Sequence, residues 1–164
     1  MHRIVISSIA ALILAACGPL APDDPVSNHG TYEIDAATGE TTASLTTETG
    51  TLRVYSGVNV AADLPNGWSL YPGAEVQSTT NAAMADGKAV IATFISEDSP
   101  AVIIAFYREQ AEANGVAIEV DATIGEGRIL AGRKDEGSRF SVITSAAEDG
   151  KTLTNLSTGE NFGG

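Results

Sequence analysis

KAVIATFIS (88–96), followed by EDSP (97–100) and AVIIAFYREQAEANG (101–115), is the stretch that decides the fold class. The run from Lys88 to Ser96 is almost continuously apolar and β-branched. Such a run bounded by polar residues predicts a central strand buried on both faces. Glu97-Asp98-Ser99-Pro100 then predicts a helix start. Ser99 is placed to cap free amides, Pro100 fits the first helical position, and the two acids favour the positive end of the helix dipole. Gly115 suits the left-handed residue that ends a helix. At 100° per residue Val102, Ile103, Phe106, Tyr107 and Ala113 share one face, with Arg108, Glu109 and Glu112 opposite, in water.

Working outward, Glu75 to Thr80 reads as a strand before this run. After it, Val116, Ile118 and Val120 alternate with polar residues as in a half-buried strand. Ile129 to Arg133, Arg139 to Thr144 and Thr152 to Leu156 are further strands, separated by Gly-containing turns at 125–127, 135–137 and 148–150. These elements predict an α+β domain: an antiparallel sheet of about five strands with one helix packed on one face, in the order strand-strand-helix-strand-strand-strand. Ahead of it, residues 31–57 carry short alternating runs around Tyr32 and Ile34, Ala43 and Leu45, and Leu52 and Val54. They read as a short β-meander, the alternative being a Thr-rich linker. The resulting organisation is 1–16 signal peptide, 17–30 modified Cys and solvated tether, 31–57 meander, 58–156 α+β domain and 157–164 frayed tail.

The chain has 164 residues, with 9 Lys and Arg against 21 Asp and Glu, a formal net charge of -12. That balance excludes nucleic acid as a partner, since phosphate binding needs a basic stripe. It also excludes a polybasic grip on anionic lipid. A single Cys rules out an intrachain disulfide and any multi-Cys metal site.

The N-terminus sets the expected address. Met1-His2-Arg3 is followed by an apolar run from Ile4 to Leu14, too short to span a bilayer, which takes roughly 20 residues. A cationic start, an apolar middle and small residues at the exit are the pattern of a secretory signal. The exit, Leu14-Ala15-Ala16-Cys17, resembles the lipobox of bacterial lipoprotein precursors. That resemblance implies cleavage before Cys17, a diacylglyceryl group on its thiol and acylation (palmitate) of the new amino terminus. Cys17 is therefore the expected lipidation site and the membrane the expected partner, reached through acyl chains. Gly18, rather than Asp, in the second mature position implies the periplasmic face of the outer membrane over the inner membrane.

Leu64-Pro65-Asn66-Gly67-Trp68 and Leu70-Tyr71-Pro72-Gly73-Ala74 are two Pro/Gly turns around the only Trp and a Tyr. With Phe106-Tyr107 and Gly115 following in order, this LPxGWxLYPGA pattern resembles a domain of small bacterial lipoproteins that have no assigned activity. The resemblance spans roughly Leu64 to Leu156 and implies a shared domain, not a reaction. Trp68 and Tyr71 either line a ligand or partner surface or seal the sheet edge, and sealing is favoured because a small domain needs the core.

No catalytic residues are expected. Once the signal is removed His29 is the single histidine, and it falls in the tether, where nothing orients an imidazole. Gly125-Glu126-Gly127 lacks the Gly-Lys-Ser/Thr ending of a phosphate loop. Glu97-Asp98 and Asp135-Glu136 are adjacent acids without the spacing of a calcium loop. No metal and no cofactor are expected. Arg128, Arg133 and Arg139 either form a cationic spot for an anionic ligand or pair with Glu119, Asp121 or Asp135, and pairing is favoured. The expected function is a membrane-anchored periplasmic lipoprotein serving as a non-catalytic binding or envelope-assembly module with an envelope protein partner. The alternatives are a carboxylate-based hydrolase and a small-ligand sensor using the Trp68/Tyr71 side.

Overall fold

In the computed structural model, which describes residues 29–47, 50–135 and 137–161, the chain runs through nine strands and one helix. The strands are β1 (His29–Ile34), β2 (Thr41–Thr47), β3 (Gly50–Gly57), β4 (Glu75–Ala83), β5 (Lys88–Ser96), β6 (Ala117–Ile124), β7 (Gly127–Arg133), β8 (Arg139–Ala146) and β9 (Thr152–Glu160). The helix α1 (Pro100–Ala113) connects β5 to β6. All strands join one antiparallel sheet in the order β1-β2-β3-β4-β5-β9-β8-β7-β6. Residues 1–28, which hold the expected signal, Cys17 and most of the expected tether, lie outside the described residues.

This architecture corrects the expectation of an α+β domain with a sheet of about five strands. The molecule is largely β, with nine strands in one sheet. Six strands, β4 to β9, belong to the segment read as the domain, and the three of 29–57 continue the same sheet. The joint is the antiparallel pairing of β3 with β4, where Tyr55 faces Asn81 and Ser56 Oγ lies 2.8 Å from Thr80 Oγ1. The reason is general: on the side away from β5, β4 offers a free row of N–H and C=O groups, and β3 satisfies it. The same logic draws in the chain's end. Ser157 to Gly159 are paired with both β5 and β8 and Glu160 with β5, so they end β9 and are not part of a frayed tail. At the other end His29 and Gly30, assigned to the tether by sequence, pair through their backbones with Thr46 and Leu45.

β5 lies at the centre of the sheet, but only one of its faces is covered. Val90, Ala92, Phe94 and Ser96 are buried, whereas Ile91 on the other face is exposed. The expectation of burial on both faces fails because only one helix is available, and it packs over β6, β7 and β8. The covered face holds the core: Phe94, Leu130, Phe140, Val142 and Leu156 from the sheet meet Ile103, Ile104, Tyr107 and Ala111 from α1.

The helix starts and stops where the sequence places its signals. Pro100 occupies the first turn, and Ser99 is the N-cap residue. Ser99 makes no side-chain cap bond, so the expected cap is absent; its carbonyl accepts the Val102 and Ile103 N–H groups instead. Gly115 takes the left-handed conformation, φ +74°, and its N–H donates to the Glu112 carbonyl. The buried stripe is Ile103, Ile104, Tyr107 and Ala111. This rotates the expected face: Val102 and Ala113 are exposed, and Phe106 flanks the core. Arg108, expected in water, instead pairs with Asp121 on β6.

Candidate functional site

The segment 58–74 crosses the covered face between β3 and β4 and is pinned at both ends by amide side chains. Near β4, Asn81 Oδ1 accepts the Asp63 N–H at 2.9 Å, and Asn81 Nδ2 donates to the Ala61 carbonyl at 2.8 Å. Near the C-terminus of α1, Gln110 binds Ser69 twice, and Asn114 Nδ2 donates to the Gly67 carbonyl at 2.9 Å. Gly67 has φ +86°, and a Cβ there would run into the Asn114 side chain, so the position needs glycine on both counts. The turn Pro65–Trp68 closes with the Trp68 N–H donating to the Pro65 carbonyl at 3.1 Å.

This loop separates the two aromatics that the sequence groups together. Tyr71 is only 9% exposed. Its ring meets Phe106 edge-on, with centroids 5.1 Å apart, and its hydroxyl donates to Asp98 Oδ2 at 2.6 Å. That hydrogen bond, then burial, then the Asp98 charge push its pKa up to about 12. Tyr71 therefore belongs to the core. Trp68 is half-buried and stacks on Phe140, with centroids 4.5 Å apart and an interplanar angle of 24°.

The Trp68–Phe140 stack walls a cleft of about 260 Å³ at the end of α1, with Asn66, Lys134, Ser138 and Arg139 among its lining. Most of the described cations are paired. Lys88, Arg108, Arg128, Arg133 and Lys151 each pair with a carboxylate. Arg133 takes Glu119 at 2.7 Å and Arg128 takes Asp121 at 3.2 Å, two of the pairings expected from sequence. Among the described residues Lys134, Arg139 and Arg53 make no ion pair; Lys134 lines this cleft beside Asp135, whereas the Arg139 side chain, alternating with Phe140, is placed on the opposite face of the sheet. Asp135 and Glu160 also border it. The Asp135 carboxylate is turned back on its own loop: hydrogen bonds from Ser138 and Gly137 hold it below the usual carboxylate range. A larger depression of about 500 Å³ on the opposite face is lined by Glu119 and Arg133, which pair with each other, and by Arg139 beside them.

The other sequence candidates are dispersed. Glu97 pairs with Lys151 at 2.8 Å and raises the pKa of that lysine, while its neighbour Asp98 serves Tyr71. Glu148 to Gly150 form a single 3-10 turn. Among the described residues no three His, Cys, Asp or Glu side chains converge, and no helix is long and apolar enough to cross a membrane. The residues that sequence reasoning missed are Gln110, Asn114 and Lys134. On a helix such as α1, polar positions read as the wet face, and nothing local says that a loop returns to them.

A family model described as START domain-like matches residues 76–159, half of the chain. The match runs from the start of β4 into β9 and includes α1, Lys134, Arg139 and Phe140. It leaves out the strands of 29–57 and the loop that carries Trp68. Among curated proteins and among solved structures nothing matches the chain.

Proposed function

Because the chain belongs to the START domain-like family, we propose that it is a non-catalytic binding module that takes a small ligand in the cleft beside Trp68, held at the periplasmic face of the outer membrane by acyl chains on Cys17. Family membership supports a ligand-binding role. One observation carries the choice of site: in a chain of net charge -12, Lys134, which makes no ion pair among the described residues, lines this cleft beside a pair of stacked rings. The rings offer a flat apolar wall, and the Lys134 ammonium a point charge with three donors for a carboxylate. The cleft volume is slightly below the usual range of about 300–1,000 Å³ for ligand sites, which suits a small molecule. The ligand class is therefore a small organic acid with an apolar body. The loop clamp at Gln110 and Asn114 holds the aromatic wall in place before the ligand arrives, which lowers the ordering cost of binding.

Trp68 is the only tryptophan of the chain, so its fluorescence reports on this cleft. Titration with a panel of aromatic and aliphatic carboxylates is expected to change its emission saturably. Lys134→Gln should weaken that response without changing thermal stability. A panel that leaves the emission unchanged, or a Lys134→Gln chain that binds as well as the parent, overturns the reading.

A further inference from the structure

The strand registers divide every side chain of the sheet between the face under α1 and the opposite face. Of the eleven large apolar side chains exposed among the described residues, seven are placed on the opposite face: Tyr32, Ile34, Leu45, Ile91, Val120, Ile124 and Ile143. The meander β1–β3 is the extreme case. Its opposite face presents Tyr32, Ile34, Ala43, Leu45, Leu52 and Val54 and no charged residue among those described. Its charged strand residues, Glu33 and Arg53, are placed on the other side. Tyr32 is 67% exposed, Ile34 56% and Leu45 37%. A three-stranded unit with an apolar face is normally stabilised by packing that face on something, and α1 lies over β6, β7 and β8 instead.

We propose that the Tyr32/Ile34/Leu45 face of the meander is a membrane-contact surface, lying at the boundary of lipid headgroups and acyl chains beside the anchor. The inference rests on the anchor at Cys17. β1 begins twelve residues after Cys17, so the meander cannot stand more than about 40 Å from the point of attachment. The meander also lies outside the family match, between the anchor and the shared domain. A bilayer suits the composition of this face. Tyrosine favours the interfacial layer, and aliphatic side chains favour the acyl boundary below it. A second copy of the chain is the weaker occupant, because two bodies of net charge -12 repel each other. The contact can be weak, because tethering turns it into an intramolecular event. With no Lys or Arg on this face of the meander, docking should neither require anionic lipid nor respond to salt.

The test uses the mature chain from Cys17, which retains every described residue, on vesicles of zwitterionic phosphatidylcholine and phosphatidylethanolamine. Lipidated protein is reconstituted directly. In parallel, the sole thiol of unmodified chain is coupled to a maleimide-bearing phospholipid, so that docking is tested even where cells do not lipidate Cys17. Hydroxyl-radical footprinting then compares Tyr32, Ile34 and Leu45 with Tyr55 on the other face of the meander, the untethered Cys17→Ser chain serving as reference. Oxidation of the first three should fall about threefold as water is excluded, with Tyr55 unchanged, equally at about 0.1 and 0.5 M salt. The double substitution Tyr32→Lys and Ile34→Lys, on an exposed edge strand, should abolish the protection of Leu45. Equal oxidation of Tyr32 and Tyr55 on vesicles overturns the proposal. So does protection of the concentrated Cys17→Ser chain without lipid, which would make a second copy the occupant.

Discussion

Gln110 grips Ser69 with both ends of its amide: Oε1 accepts the Ser69 N–H at 2.9 Å, and Nε2 donates to Ser69 Oγ at 3.0 Å. One helical turn further on, Asn114 holds the Gly67 carbonyl and also the Gln110 carbonyl. Trp68 sits between the two held residues, so the helix end sets where the indole stands over Phe140. Each neutral hydrogen bond of this kind contributes about 1 kcal/mol. Gln110→Ala should cost about 1–2 kcal/mol for its two bonds. It should also shift Trp68 emission towards that of a hydrated indole. Urea unfolding together with emission spectra checks both, and an unmoved spectrum would show that the stack with Phe140 positions Trp68 unaided.

Tyr107 is fully buried, and its hydroxyl lies near the Tyr71 backbone without a hydrogen bond of good geometry. The ring, not the oxygen, is the useful part of this residue. It packs edge-on against Phe106, with centroids 5.1 Å apart, and lies 6.4 Å from Phe94. Tyr107→Phe should change stability by less than about 0.5 kcal/mol or raise it, because a poorly satisfied buried polar atom is removed. Phe106→Ala, which removes a half-buried ring touching both tyrosines, should cost about 3 kcal/mol. Thermal melts of the two variants test the pair. A larger loss from Tyr107→Phe than from Phe106→Ala would place a hydrogen bond on that hydroxyl.

These residues also mark where the sequence is legible and where it is not. Pro100 and Gly115 bracket α1 because helix ends are set by local chemistry: a fixed φ at the start, a left-handed residue at the finish. Lys88 to Ser96 shows its central position because a long apolar run needs neighbours on both edges. It does not show that its second face is bare, since Ile91 looks the same in sequence whether or not a layer covers it. The joining of β3 to β4 is equally silent, because strand edges expose the same N–H and C=O groups whatever the side chains are. In the cleft, Trp68 stands out as the only tryptophan between two turns. Gln110, Asn114 and Lys134 do not, because a polar residue that holds a loop resembles one that meets water.

Alkaline pH should unfold the domain through Tyr71. Its unfolded value is 10.0 and its folded value about 12, raised first by the hydrogen bond to Asp98. The folded state therefore keeps a proton that the unfolded state has lost. The contribution is fully present below pH 10 and is lost as the pH rises from about 10 to 12, at up to about 1.4 kcal/mol per pH unit. Burial raises Tyr107 in the same sense, so both tyrosines act together. Urea midpoints between neutral pH and about pH 11.5 should fall steeply above pH 10, and less steeply in Tyr71→Phe. A Tyr71→Phe chain with an unchanged alkaline slope would mean that the Asp98 bond does not persist in solution.

The anchor makes its own prediction, independent of the cleft and of the meander. Leu14-Ala15-Ala16-Cys17 follows a short apolar run opened by Arg3, the pattern of a lipid-modified exit. One acyl chain binds a bilayer only reversibly, at about 0.8 kcal/mol per buried CH2, whereas two or three chains hold firmly. Firm anchoring matters here because the acidic body has no basic patch to assist it. Intact-mass spectrometry of protein from bacterial membranes should therefore show a chain beginning at Cys17, with a diacylglyceryl thioether and an acylated amino terminus. High salt should fail to release it, since the attachment is apolar and not ionic. Cys17→Ser removes the only sulfhydryl and should leave an unprocessed precursor that still carries Arg3. A mature chain that starts elsewhere, or a free thiol on Cys17, would end the anchor reading and leave the cleft beside Trp68 to be tested on its own.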